Sequence, residues 1–232
     1  MVSAIAALMS SLPRNQRMTP KDLFLPTDSL CFSYPLMLTF AALFSNASVA
    51  LNSVAGEDVD FVLATSNVAP TVIVASAQST AAYHDKLVGT QNGTIAKVGR
   101  WLQSRSLAAG NMPQSSSLLT MAKIGSGNKS GKNLRLIYIS QRVGSESVKH
   151  LSSATLSDLR IFTGVRVIYA LAVAQVAGAV SQTNLYDYRA SKKLNHFGPP
   201  LSSVEVKLID AKGEDGPGMV GQVSNGPPNA RS

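Results

Sequence analysis

At 232 residues the chain can hold one large domain or two small ones, and 45% hydrophobic content supplies a core, which excludes a wholly disordered protein. A net charge of +8 and a pI near 9.7 suit phosphate-bearing ligands or anionic surfaces. Aromatic residues make up only 6% and are not interleaved with the basic ones, so no nucleic-acid partner is expected.

Met1 to Leu12 is apolar but has no positive charge ahead of its apolar residues and reaches Pro13-Arg14 too soon for a signal peptide; it reads as an amphipathic helix. A cytoplasmic protein is therefore expected, and the Asn-x-Ser/Thr triplets at Asn46, Asn92 and Asn128 carry no glycosylation. Pro13 to Lys21 is a basic connector. Leu23 to Leu25 reads as a short strand ending at Pro26, with a turn at Thr27-Asp28. The single cysteine, Cys31, excludes an intrachain disulfide framework and a cysteine metal cluster, and is expected to be a small buried apolar residue.

Ser29 to Gly56 contains no charge, and ~20 apolar residues cross a bilayer. Phe61 to Thr80 and Val167 to Tyr186 are charge-free as well, so a small multi-span membrane protein is one rival reading. Against it, a mean hydropathy of +0.11 is low for three spans, and polar residues interrupt each stretch. Pro35, Ser45, Asn46, Ser48, Asn52 and Ser53 divide the first into a helix, Leu36 to Phe44, and a strand, Ala47 to Leu51. Leu36, Phe40 and Leu43 or Phe44 share one face of that helix. No integral membrane span is expected.

Glu57-Asp58 open a helix to about Ser66, Val68-Ala69-Pro70 turns, Thr71 to Ala75 is a buried strand and Gln78 to Val88 a second helix. This alternation predicts βα units around a parallel sheet, whose strands are charge-free because both faces are covered. Gly89 to Lys132 is rich in Gly, Ser, Asn and Lys, with helical pieces at Ile95 to Leu107 and Ser117 to Ile124. Gly125 to Lys132 invites a phosphate-loop reading, but Asn133 follows Lys132 and the Walker spacing is missing, so a solvated loop is expected. Leu134 to Ser140 is a strand, and Ser152 to Asp158 opens a helix or turn.

Leu159, Ile161 and Phe162 form a β-rich run meeting Thr163-Gly164, where glycine lets the chain turn or a ligand approach. Past the polar cluster Gln182-Thr183-Asn184, Val204, Val206 and Leu208 alternate with Glu205, Lys207 and Asp210, which predicts a half-exposed strand from Ser203 to Asp210. His84, His150 and His196 lack metal-ligand spacing and read as surface or turn residues; no metal site is expected. No G-x-S-x-G elbow or strand-borne GxGxxG is present.

The stretch Phe197-Gly198-Pro199-Pro200-Leu201-Ser202-Ser203 through Asp210, with Gly221-Gln222-Val223 and Gly226-Pro227, resembles the start of the small β-barrel in the AMP-forming adenylating enzymes, among them acyl-CoA synthetases. Within that family it looks most like divergent fungal acyl-CoA ligases. Asp28 and Pro35 are similar in placement to an Asp and a proline-flanked helix that follow the family's phosphate loop. In the family a motif N-x-Y-G-x-T-E lines the nucleotide site. Asn184-Leu185-Tyr186-Asp187-Tyr188-Arg189 is similar to its first half, with Asp187 where glycine would be and no Thr-Glu behind it; a second register sets Thr183-Asn184 on its Thr-Glu.

The resemblance implies an α/β fold of flavodoxin-like parallel βα units over 1–195, followed by the first strands of an incomplete small β-barrel over 196–232. It implies activation of a fatty or other acyl acid by ATP and Mg to an acyl-adenylate and then a CoA thioester. Gly164, Thr183, Asn184, Tyr186 and Asp187 become candidate nucleotide-binding residues, expected together at the carboxyl ends of neighbouring strands. The family's phosphate loop, ribose-binding Asp and lid lysine would fall outside the 232 residues, so the chain alone is expected to be inactive. A non-catalytic binding remnant is the remaining alternative.

Overall fold

Six short runs, most of them apolar, form the strands of one sheet in the computed structural model, which describes residues 1–53, 55–56, 58–65, 68–90, 101–107, 109–112, 134–144, 150–189 and 195–207. They are β1 (Leu23–Pro26), β2 (Ser48–Val49), β3 (Val72–Ser76), β4 (Leu136–Arg142), β5 (Arg166–Ala172) and β6 (Ser181–Gln182). The order is β2-β1-β3-β4-β5-β6, all parallel except β6, which runs antiparallel to β5. The first five strands follow the flavodoxin-like order expected from the sequence. Every residue of β3 is buried, which is why it tolerates no charge.

The helices are α1 (Val2–Ser10), α2 (Ser33–Phe44), α3 (Phe61–Ala64), α4 (Ala77–Thr90), α5 (101–107) and α6 (Ser153–Thr163). From β1 the chain passes through α2 to the edge strand β2; from β3 onward it steps the other way. Right-handed crossovers then place α2 on one face and α4 and α6 on the other. Strand alternation feeds both layers. Phe24, Val72, Val74 and Tyr138 pack with Ala4, Ala7 and Leu8 of α1 and Met37 and Leu38 of α2. Leu25, Ile73, Ile137 and Tyr169 pack with Tyr83 of α4 and Leu156, Leu159 and Phe162 of α6. Pro26 is tolerated in an interior strand because the β2 ladder stops at Phe24 and only β3 accompanies it further.

The structure corrects several expectations. Leu159 to Phe162 is not a strand. It forms the last turns of α6, because Ser152 caps the amino end by accepting from Thr155 N, and Leu156, Leu159 and Phe162 recur at helical spacing against the sheet. The helix expected from Glu57 is the single turn α3, started by Asp60, whose side chain accepts from Val62 N. In α2, Phe40, Leu43 and Phe44 do share one face, and that face is outward; the helix buries Ala41 and Ala42 beside α1, where small side chains permit close approach. Cys31 is exposed, in the turn ahead of α2.

Of the strand expected from Ser203 to Asp210, residues 203–207 carry no ladder pairing among the described residues, although Val204 and Val206 are half-buried and Glu205 and Lys207 exposed. A strand with one patterned face needs a neighbour, and 208–232, where the barrel would continue, lie outside the described residues. The segments 95–100 and 117–124 and the glycine-rich loop 125–132 lie outside them as well. Pro200 forms an isolated antiparallel bridge with Ser181, and Leu201 joins the core. Among the described residues no helix is long and apolar enough to cross a membrane, and two of the charge-free stretches supply β3 and β5 to the sheet.

Candidate functional site

Open parallel sheets bind ligands beyond the carboxyl ends of their strands, at the point where successive connections diverge. Here that point lies between β1 and β3, and the chain's own polar groups occupy it. Thr27 donates through N and Oγ1 to Val74 O, both at 2.9 Å. Asp28 is fully buried, accepts from Ser29 N at 2.8 Å and pairs with Arg142 Nη2, from the end of β4, at 2.6 Å. The Arg142 guanidinium lies 3.5 Å from the centre of the Phe32 ring. The connection after β2 crosses the same edge: Gly56 N donates to Thr27 O and Val59 N to Ser79 Oγ, which also accepts from Ser76 Oγ.

The sequence-predicted residues gather at the opposite edge. Running antiparallel to β5, β6 leads into Thr183, whose N–H donates to Tyr169 O and whose Oγ1 accepts from Tyr169 N, each at 2.9 Å. Thr183 is buried and spent on this backbone clasp. Asn184 to Asp187 then turns, closed by Asp187 N donating to Asn184 O at 3.1 Å. The turn lies beside the start of β5, with the Arg166 guanidinium 5.4 Å from the Tyr186 ring.

An open cleft of about 630 Å³ lies over this turn, and Asn184, Tyr186, Asp187, Tyr188, Arg189 and Pro199 line it together with Leu107 and Gly110. Arg189 clamps Asp187 through Nε at 2.8 Å and Nη2 at 2.6 Å, and His196 Nε2 stands 3.6 Å from the same carboxylate. The hydrogen bonds from Arg189 outweigh burial and hold the Asp187 carboxyl below its ordinary pKa. Behind Tyr188 stands Arg160, 4% exposed, its guanidinium 5.4 Å from the ring and donating to Val167 O at 3.1 Å. Burial pulls its pKa down to about 10, despite the neighbouring Tyr188 and Asp187.

The structure thus brings Asn184, Tyr186 and Asp187 together but at the amino edge of the sheet, not at the carboxyl ends. The reason is the antiparallel direction of β6, which carries the chain back along β5. Gly164 also precedes β5 and is not among the cleft-lining residues; at φ 65° it ends α6 as a left-handed cap, its N–H donating to Arg160 O. Sequence reasoning had Tyr188 and Arg189 within the motif but gave them no binding role, and it missed Arg160 and Arg166.

The cleft's chemistry fits some implied ligands better than others. The half-exposed Tyr186 ring and the Asn184 amide suit the face and edge of a nucleotide base. Asp187 is engaged by Arg189, and no group of three His, Cys, Asp or Glu residues able to hold a metal occurs among the described residues. The donor set therefore does not fit a resident Mg ion.

No protein-family model and no curated protein sequence matches the chain. Solved structures do. An anthranilate CoA ligase in complex with anthranoyl-AMP is 14% identical with a TM-score of 0.52, over 91% of this chain and 32% of that one. A benzoate CoA ligase from Burkholderia xenovorans LB400 is 14% identical at 0.52, over 91% and 34%. An O-succinylbenzoate coenzyme A synthetase from Bacillus subtilis, in complex with ATP and magnesium ion, is 18% identical at 0.51, over 95% and 33%. At such identities the likeness establishes the fold alone, one shared with part of each of these ligases, and the chain spans about a third of their length.

Proposed function

We propose that the chain is the sheet-bearing part of an adenylate-forming acid:CoA ligase, with its core at 1–195 and a second β-unit beginning at 196. The observation that carries this reading is the likeness of nearly the whole chain to solved ligases of that type. In the proposed reaction a substrate carboxylate attacks the α-phosphorus of Mg-ATP and releases pyrophosphate; the CoA thiol then takes the acyl group and releases AMP. Within this chain Tyr186 and Asn184 would hold the base, and the cations around Tyr186 and Tyr188 would draw the phosphates. The acid would be a fatty or other acyl acid, the aromatic acids named for the solved neighbours being its competitors. A cytoplasmic location accompanies this reading.

A second reading, a binding module without catalysis, is favoured by one observation: the Asp28–Arg142 pair fills the place where such sheets usually receive a ligand. The two are separated by ATP–pyrophosphate exchange with fatty acids of several lengths and with benzoate, using residues 1–232 and a form extended on both sides. Exchange by the extended form alone is the expected result. Exchange by neither form with any acid would overturn the ligase reading, and turnover by residues 1–232 would overturn their expected inactivity.

A further inference from the structure

The cleft carries more positive charge than its own acid balances. Arg160, Arg166 and Arg189 stand around Tyr186 to Arg189, and among the described residues the only carboxylate paired with any of them is Asp187. Among the described residues, Arg160 donates to the Val167 carbonyl, and Arg166 donates to the Gln16 side chain at 3.4 Å. Arg189 is 76% exposed at the mouth, so its guanidinium is the accessible member of the set. A guanidinium's planar fork matches a carboxylate or phosphate along either of two edges, and here Asp187, two residues away, takes the Nε–Nη2 edge and neutralises the charge.

We propose that Arg189 is an oxyanion receptor held in a self-occupied state by Asp187, and that a ligand phosphate or carboxylate displaces Asp187 from it. The exposed face of Tyr186 takes the planar part of such a ligand, and Asn184 meets its polar edge. Arg166 and Arg160, behind the two tyrosine rings, set a positive potential in the cleft without touching the ligand. The inference uses the same cleft as the ligase reading but does not depend on adenylation. It also reverses the sign for one residue. A carboxylate that helps bind ligand weakens binding when neutralised, whereas a carboxylate that competes with ligand strengthens it.

The test is calorimetric titration of residues 1–232 with inorganic phosphate, with benzoate and with uncharged adenosine. Saturable binding of at least one anion is expected, falling as salt is raised. Asp187→Asn should tighten it ~10-fold and Arg189→Gln weaken it ~10-fold, the scale of one charge-assisted contact. Arg166→Gln should weaken it a few-fold. Phosphate responding alone assigns a phosphoryl ligand, and benzoate alone a carboxylate. Anion binding without pyrophosphate exchange would sustain this inference while the ligase reading fell. Absence of anion binding in both the parent chain and Asp187→Asn, or weaker binding in Asp187→Asn, would overturn it. Should Asp187→Asn fail to fold by circular dichroism, Arg189→Gln decides, since it alters an exposed side chain: unchanged anion affinity there overturns the proposal.

Discussion

His84 on α4 and Asp158 on α6 join the two helices that cover one face of the sheet, Nε2 to Oδ2 at 3.1 Å, with Asp85 closing on the other ring nitrogen at 3.3 Å. Burial lowers the imidazole pKa, but the hydrogen bonds and charges of Asp158 and Asp85 outweigh it, and the net shift is upward from 6.5. A raised folded pKa gives stability that is fully present below the unfolded value and is lost as pH rises through the folded one. Melting temperature should therefore fall as pH rises above 6.5 and through the raised folded value, and His84→Gln should flatten that slope while costing about 1 kcal/mol at the acid end. Identical pH profiles for the two proteins would show that the contact does not couple to folding.

Asp22 gives the opposite dependence. Its carboxylate accepts from Thr19 N, Thr71 Oγ1 and Arg135 Nε and Nη2. Burial raises its pKa, but these partners prevail and bring it to about 2. The depressed value means stability present above the ordinary 3.8 and lost as pH falls toward 2, an effect of about 2 kcal/mol. Asp22→Asn should lose that amount at neutral pH and blunt the acid limb of the unfolding curve, as followed by circular dichroism.

Removing one member of the buried Asp28–Arg142 pair should cost about 3–5 kcal/mol in urea unfolding. The double substitution Asp28→Asn with Arg142→Gln should lose clearly less than the sum of the two singles, since they share one contact. Simple additivity would mean that the pair is not coupled.

Gly198→Ala is the severe backbone test. Gly198 has φ 74°, and a Cβ there would collide with the Gln182 carbonyl oxygen and lie 2.8 Å from Thr183 Cα. Left-handed strain and overpacking together should cost about 2–4 kcal/mol. Faster amide exchange at Gln182 and Thr183 should accompany the loss, and an unchanged melting temperature would contradict the packing of this segment on β6.

The parts of the fold legible in the sequence were those specified by local runs. The charge-free run around Ile73 and the apolar run around Ile137 announced their strands, and a helix was legible from Gln78 to Val88. Ile161 and Phe162 misled because their β preference is local, while the helix that claims them is set by Ser152 ten residues away and by contacts with the sheet. For the site, Asn184, Tyr186 and Asp187 were adjacent enough to be seen together. Arg160 and Arg166 were not, because only the turn-back of β6 along β5 brings them to the tyrosines. Asp28 and Arg142 lie 114 residues apart, beyond the reach of any sequence spacing.

The parallel pairing of β4 with both β3 and β5 also sets an order of assembly. Leu136 is opposite Arg166 on one side and Val72 on the other, and the second partner is about twice as distant along the chain. Each doubling of a closed loop adds about 0.6 kcal/mol of entropic cost. The unit β4–α6–β5, with its capped helix and seven-residue ladder, is thus the cheaper nucleus, and β3 with everything before it condenses onto that edge later. Substitutions in β4, α6 and β5 should accordingly slow folding, while those in β1 and α2 should chiefly hasten unfolding.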